Sequence, residues 1–149
     1  MKQQPGAILN RRARHDYDLR DGLKVGLVLN GVETKALRLG HAHLRGAYVT
    51  VKDDELWLIN ATISPGKLIA ADVSFDETRS RKLLAKRKEI DKLIALKQQG
   101  LTIVPTRFLT RGRYVKLEIA PGRGMRKYDK REKLKQRESD RDNARARAR

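Results

Sequence analysis

Tyr114-Val115-Lys116-Leu117-Glu118-Ile119-Ala120 alternates between apolar and polar residues one position at a time. Val115, Leu117 and Ile119 share one side, and Tyr114, Lys116 and Glu118 the other, as a strand with one wet face requires. Thr102 to Thr110 forms a second run just before it, and Arg111-Gly112-Arg113 lies between as a turn. This stretch predicts a β-hairpin with its apolar side on a core.

The same period recurs upstream. Leu23, Val25, Leu27 and Leu29 alternate with Lys24 and Gly26, which predicts a strand ended by Gly31. Glu33 to Leu39 then reads as a short helix with Gly40 as its stop. Ala47, Val49 and Val51 lead through an Asp53-Asp54 turn into Glu55 to Ala61, a second hairpin. Between the hairpins the spacing predicts one long helix. Ser74 and Glu77 are placed as a capping box, and Leu83, Ile90 and Ile94, widened by Leu84 and Leu93, form its apolar stripe as far as Gly100. Short antiparallel strands with few helices are most economically closed into a small barrel of the oligonucleotide-binding (OB) type, since closure removes free strand edges. The expected organisation is a flexible lead over residues 1–9, this barrel over 10–120, and a tail over 121–149.

The tail is different in kind. It carries twelve Lys and Arg against five Asp and Glu, a net of +7, and Leu134 is its only large aliphatic residue from Lys130 onward. Its residues favour helix, but no apolar face offsets the roughly 1–2 kcal/mol per residue of backbone entropy. The expectation is a tail that is disordered alone and helical against RNA.

The whole chain of 149 residues has a formal net charge of +17. An excess of that size points to a polyanionic partner. No apolar run approaches the roughly 18 residues of a membrane span, and Met1-Lys2-Gln3-Gln4-Pro5-Gly6 has no apolar core of a signal peptide, so a cytoplasmic location is expected. There is no cysteine, hence no disulfide, thiolate metal site or cysteine nucleophile. Aromatic residues are few, and Tyr48 and Tyr114 are the clearest outward-facing ones. Recognition of folded RNA by shape and backbone therefore fits better than the reading of an open strand on stacked aromatics.

Catalytic constellations are weak. His15-Asp16 lacks converging metal ligands, with only His41 and His43 as further imidazoles. Ser64-Pro65-Gly66 lacks the frame of a nucleophile elbow, and Gly122-Arg123-Gly124 lacks the Gly-Lys-Ser/Thr of a phosphate loop. A nuclease built on His15, Asp16 and Glu33 is one rival reading; a ribosomal protein or general RNA chaperone is the other.

Several segments, in order along the chain, are similar to one family. Asn10-Arg11-Arg12-Ala13-Arg14-His15-Asp16-Tyr17 resembles its Asn-Lys/Arg-Lys/Arg-Ala-x-His-Asp/Glu-Tyr opening, and Gly26-Leu27-Val28-Leu29-Asn30-Gly31-Val32-Glu33-Thr34-Lys35-Ala36-Leu37-Arg38 its next conserved block. Ile63-Ser64-Pro65, Thr78 to Leu84, Lys86 to Asp91 and Lys127-Tyr128-Asp129-Lys130-Arg131-Glu132 continue the match. Together they resemble the SsrA-binding protein (small protein B) family. The resemblance implies a non-catalytic, cofactor-free, monomeric RNA-binding protein. It would hold the tRNA-like domain of tmRNA, support its alanylation by alanyl-tRNA synthetase, and deliver it with elongation factor Tu to stalled ribosomes. The tail would occupy the vacant mRNA channel near the decoding centre. The candidate tmRNA-binding residues are Asn10, Arg11, Arg12, His15, Lys24, Glu33, Lys35, Arg38, Arg81, Lys82, Leu84 and Lys116. The candidate tail residues are Arg123, Gly124, Lys127, Tyr128, Asp129, Lys130 and Arg131. Lys24 stands where the family usually has a glutamate, Gly66 where it has a tyrosine, and Asp76-Glu77 where it has Asp-Pro.

Overall fold

The structure, a computed structural model, describes residues 6–125 and 127–147, without the side chains of 127–130 and 133. Its elements are β1 (Ala7–Leu9), α1 (Arg11–Asp16), β2 (Tyr17–Leu19), β3 (Leu23–Leu27), α2 (Gly31–Arg38), β4 (Ala42–His43), β5 (Tyr48–Lys52), β6 (Glu55–Ile59), β7 (Thr62–Ile63), β8 (Arg81–Leu84), α3 (Arg87–Gln98), β9 (Thr102–Leu109), β10 (Lys116–Gly124) and α4 (Lys127–Arg147). The main sheet runs β1-β9-β10-β3-β8-β6-β5, with β2 also on β10 and β4–β7 as a separate pair. Every pairing is antiparallel. β5 comes alongside β9, but no paired register joins these two strands among the described residues.

Both predicted hairpins are present. In β10 the alternation places Leu117 and Ile119 in the core, fully covered, with Phe108 of β9 and Leu56, Leu58 and Leu83 of the neighbouring strands. Between Glu118 and Ile119 the β9–β10 register shifts, and Pro105 of β9 lies opposite Ile119. A residue with no N–H to give to a ladder is accommodated at such an irregularity. α2 covers one end of the core with Ala36 and Leu37, and α3 packs Ile90 and Leu93 onto it. The start of α2 is closed by a reciprocal capping box: Glu33 N–H donates to Asn30 Oδ1 (2.8 Å), and Asn30 N–H to Glu33 Oε1 (3.1 Å).

Two expectations give way. The long helix from Ser74 does not exist. Residues 81–84 are a strand, paired with Gly26–Leu27 on one side and Trp57–Leu58 on the other, and the helix begins only at Arg87, where Lys86 N–H donates to Glu89 Oε1 (3.0 Å). Asp76 instead makes a local turn, accepting from Thr78 N–H (3.1 Å). A strand puts Leu83 inward and Leu84 outward, so Leu84 is not core but half exposed. Ala7–Leu9, expected within a flexible lead, is instead a strand paired with Arg107–Leu109; residues 1–5 of that lead lie outside the described residues.

At the other end β10 continues past residue 120. Pro121 and Gly122 are buried, and Gly122–Gly124 pairs with Tyr17–Leu19. The tail beyond it is a single helix, α4, whose described side chains from Arg131 to Arg147 are all exposed.

Candidate nucleic-acid interface

The outward side of the sheet brings four of the expected residues together: Lys116, Leu84, Lys24 and Lys82. Lys116 of β10 and Leu84 of β8 stand directly opposite Gly26 of β3, one from each side. Residues opposed in an antiparallel ladder point to the same face, so Lys116, position 26 and Leu84 form one row. Two residues along, Arg107, Glu118 and Lys24 form the next row, also in register. Arg107 Nε donates to Glu118 Oε2 at 2.8 Å. Lys24 therefore sits opposite a carboxylate already engaged on its other flank. Lys82 shares β8 and faces Trp57, with its ammonium 2.9 Å from Glu55 Oε2. Over Gly26 a depression of about 260 Å³ opens, walled by Leu84, Thr34, Arg113, Tyr114 and Lys116.

A second basic surface lies around α1. Arg11 and Arg12 are exposed and, with Leu9, Asn10, His43 and Arg45, line a groove of about 410 Å³. Asn10 orients this corner: its N–H donates to Thr106 O and its side-chain amide to Pro105 O, both at 2.8 Å. His15 Nδ1 lies 3.0 Å from Asp16 Oδ1 at the surface. Among the described residues no three His, Asp or Glu side chains converge as a metal site would need.

Glu33 and Arg81, expected at the interface, are instead inside the protein. Neither has any exposed side-chain surface. Arg81 Nε donates to Glu33 Oε2 (2.6 Å), and its terminal nitrogens to Ala61 O (2.7 Å) and Glu77 O (3.0 Å). Arg79 supplies a second guanidinium to Glu33 Oε1. Burial pushes the Glu33 carboxyl up, but hydrogen bonds from Arg79, the Asn30 backbone and Arg81, and the Arg81 charge, outweigh it and leave Glu33 below the usual carboxylate range. This pair ties α2 to β8; it has no face for an RNA.

Arg38 is also engaged by the protein. One terminal nitrogen donates to Thr110 O and Gly112 O (both 3.0 Å), and the other to Arg113 O (3.1 Å). The guanidinium thus holds the tip of the β9–β10 hairpin. Lys35 is exposed on α2. In the tail region Arg123 and Gly124 are exposed at the end of β10, opposite Asp18 and Tyr17. Lys127, Tyr128, Asp129 and Lys130 belong to α4 by their backbone, and their side chains lie outside the described set; Arg131 is exposed.

A family model described as SmpB protein matches residues 7–149 of this chain. The chain belongs to the SmpB family. Among its relatives, an SsrA-binding protein of Chloroflexus aggregans is 42% identical over 138 residues, covering 92% of this chain and 87% of the relative. One from Microcystis aeruginosa is 45% identical over 138 residues, covering 92% and 90%. A solved chain from the study "tmRNA-SmpB: a journey to the center of the bacterial ribosome" superposes with a TM-score of 0.68 at 34% identity, covering 87% of this chain and 95% of that one. The motif resemblance and the family match agree.

Within this SmpB chain, sequence reasoning passed over Arg113 and Arg45, and left His43 and Tyr114 without a site. Arg113 stood in a turn, and its guanidinium lies over the Tyr114 ring, 5.6 Å from the centroid. That placement depends on Arg38, more than seventy positions away, and nothing local signals it. Arg45 and His43 join Arg11 only through the folding of β4 beside the N-terminal strand.

Proposed function

We propose that this chain binds the tRNA-like domain of tmRNA and carries it to stalled ribosomes for trans-translation. Family membership over residues 7–149 is the observation that carries the proposal. The outward basic rows on β3, β8 and β10 supply a physical means, because each phosphate neutralised by Lys or Arg releases condensed counterions. Support of alanylation by alanyl-tRNA synthetase and delivery with elongation factor Tu belong to the same reading. So do a cytoplasmic location, a monomeric state, and the absence of any reaction performed by the chain itself. Glu33 supports that last point, since its two oxygens are saturated by Arg79, Arg81 and Asn30.

We also read β5 beside β9 as the seam of an OB-type barrel, with the rim of the sheet presented to RNA. The tail would enter the vacant mRNA channel near the decoding centre through Arg123, Gly124 and the segment from Lys127 to Arg131. α4 has no apolar side to pack, so its helix would be fully populated only against RNA.

The test compares affinity for tmRNA with affinity for bulk tRNA at physiological ionic strength. A clear preference for tmRNA is expected, and equal binding would sink the proposal. Cutting the chain after Gly124 should leave that preference intact and abolish rescue of stalled ribosomes; loss of tmRNA affinity on truncation would overturn the division between sheet and tail.

A further inference from the structure

Asn30-Gly31 is the one Asn-Gly dipeptide in the chain. The pair has a chemistry of its own. An asparagine side-chain amide carbon is open to attack by the backbone nitrogen of the next residue, and glycine, with no side chain, hinders that approach least. Asn30 and Gly31 are both exposed, and a Cβ placed on Gly31 would find nothing within 4 Å. Water reaches the pair, and no neighbour fills the space beside it.

The reaction balances without a cofactor. Gly31 N bonds to Asn30 Cγ and gives up its proton as the Cγ–Nδ2 bond breaks, so ammonia leaves and a cyclic imide remains. Water then adds to one imide carbonyl. Opening at Cγ restores the ordinary peptide bond and gives aspartate. Opening at the backbone carbonyl gives isoaspartate, whose main chain runs through Cβ and Cγ.

The fold stands in the way of the first step. Asn30 is the N-cap of α2, with ψ at 172°. Its Oδ1 accepts from Glu33 N–H (2.8 Å), and its own N–H donates to Glu33 Oε1 (3.1 Å). Its carbonyl accepts from Thr34 N–H (3.1 Å) and from the Thr34 hydroxyl (3.0 Å). Ring closure requires ψ of Asn30 to turn until Gly31 N meets Cγ. That turn breaks the side-chain cap and parts the carbonyl from Thr34. Glu33 cannot follow, because its buried carboxylate is held by Arg79 and Arg81.

We propose that Asn30-Gly31 is a deamidation site gated by the first turn of α2: it reacts while that turn is open, and its two products have opposite fates. Aspartate caps a helix about as well as asparagine, so that product closes again around Glu33. Isoaspartate lengthens the main chain between the cap and Gly31, and the reciprocal bonds with Glu33 cannot both form. The damage then passes to the buried Glu33–Arg81 pair and to the tie between α2 and β8. This site is independent of RNA binding.

The experiment incubates the full chain at mildly alkaline pH, folded and in guanidinium chloride. Peptide mapping by mass spectrometry follows asparagine, aspartate and isoaspartate at position 30, separately from Asp21-Gly22, which forms the same imide. In denaturant position 30 should convert well ahead of Asn60 and Asn143, each followed by alanine. The folded chain should convert at least about tenfold more slowly, because the open fraction alone reacts. Thr34→Val removes one bond from the Asn30 carbonyl and should speed the folded reaction about fivefold without changing the denatured rate. Thr34→Ser should restore the wild-type rate. Chains enriched in isoaspartate at position 30 should unfold at lower denaturant, and Asn30→Asp, the other product made directly, should match the wild type. A position 30 that lags Asn60 in denaturant would overturn the site. Equal folded and denatured rates, or no acceleration in Thr34→Val, would overturn the gate. An isoaspartate chain as stable as the wild type would overturn the separate fates.

Discussion

Glu33 and Arg81, 48 positions apart in sequence, form a fully buried ion pair with Nε and Oε2 separated by 2.6 Å. The pair joins the first turn of α2 to β8, and the two terminal nitrogens of Arg81 donate to the carbonyls of Ala61 and Glu77. Each of the three guanidinium nitrogens has a partner. Among the described residues no buried side-chain nitrogen or oxygen lacks a partner. A network this complete stabilises a unique arrangement, and it is intolerant of losing one member.

Glu33→Ala should therefore destabilise the protein by about 3–5 kcal/mol, because it strands a buried guanidinium and removes the capping carboxylate of α2. Urea denaturation followed by circular dichroism measures it. Arg81→Lys should recover little of the wild-type stability, since an ammonium cannot reach Glu33, Ala61 and Glu77 together.

The pH dependence has a definite sign. The Glu33 carboxyl is held below its ordinary value in the folded protein, so the unfolded chain binds its proton first as pH falls. The stability it contributes is fully present above the unfolded value of about 4.3 and is lost as pH falls from there through the folded value. Thermal melts from pH 6 downward should show a steep acid limb in the wild type, and Glu33→Gln should flatten it from a lower starting stability.

Gly122 is held in close quarters where β2 crosses the end of β10. A Cβ there would meet Leu19 Cδ2 at 2.8 Å and Asp18 O at 3.1 Å, and the second of these is backbone. Gly122→Ala should cost about 1–3 kcal/mol, the usual scale of overpacking. Hydrogen exchange should show the loss concentrated at the β2–β10 pairing.

The β5–β6 turn is improvable. Asp53 and Asp54 have φ of 53° and 59°, in the left-handed region where a side chain is disfavoured. Asp54→Gly should raise stability by about 0.5–1 kcal/mol, the relief of strain exceeding the entropy glycine adds to the unfolded chain. Arg87 Nη1 donates to the backbone carbonyl of Asp54 and not to its carboxylate, so that bond survives the change. A higher denaturation midpoint with an unchanged slope is the expected result.

The elements legible in the sequence are those whose pattern is local. Val115, Leu117 and Ile119 declare β10, the Asp53-Asp54 turn declares its hairpin, and Glu33 lies within the helix it caps. Arg81 to Leu84 was illegible because Leu83, Ile90 and Ile94 also satisfy a helical spacing. What makes 81–84 a strand is pairing with β3 and β6, and those partners lie more than twenty positions away. The site divides in the same way. Lys116, Lys82 and Leu84 could be named from their residues and the family motif. The inward role of Arg81 and the clasp of Arg38 on the hairpin tip depend on chain crossings that no window of sequence contains.

Met125 N–H donates to Asp16 O at 2.9 Å, so the chain is still pinned to the body of the protein two residues before α4 begins at Lys127. A helix turns about 100° and advances 1.5 Å with each residue. Within α4 one inserted residue would therefore swing every charge beyond it by nearly a third of a revolution against the charges before it, whereas seven would return them almost to their original bearing, about 10 Å farther along.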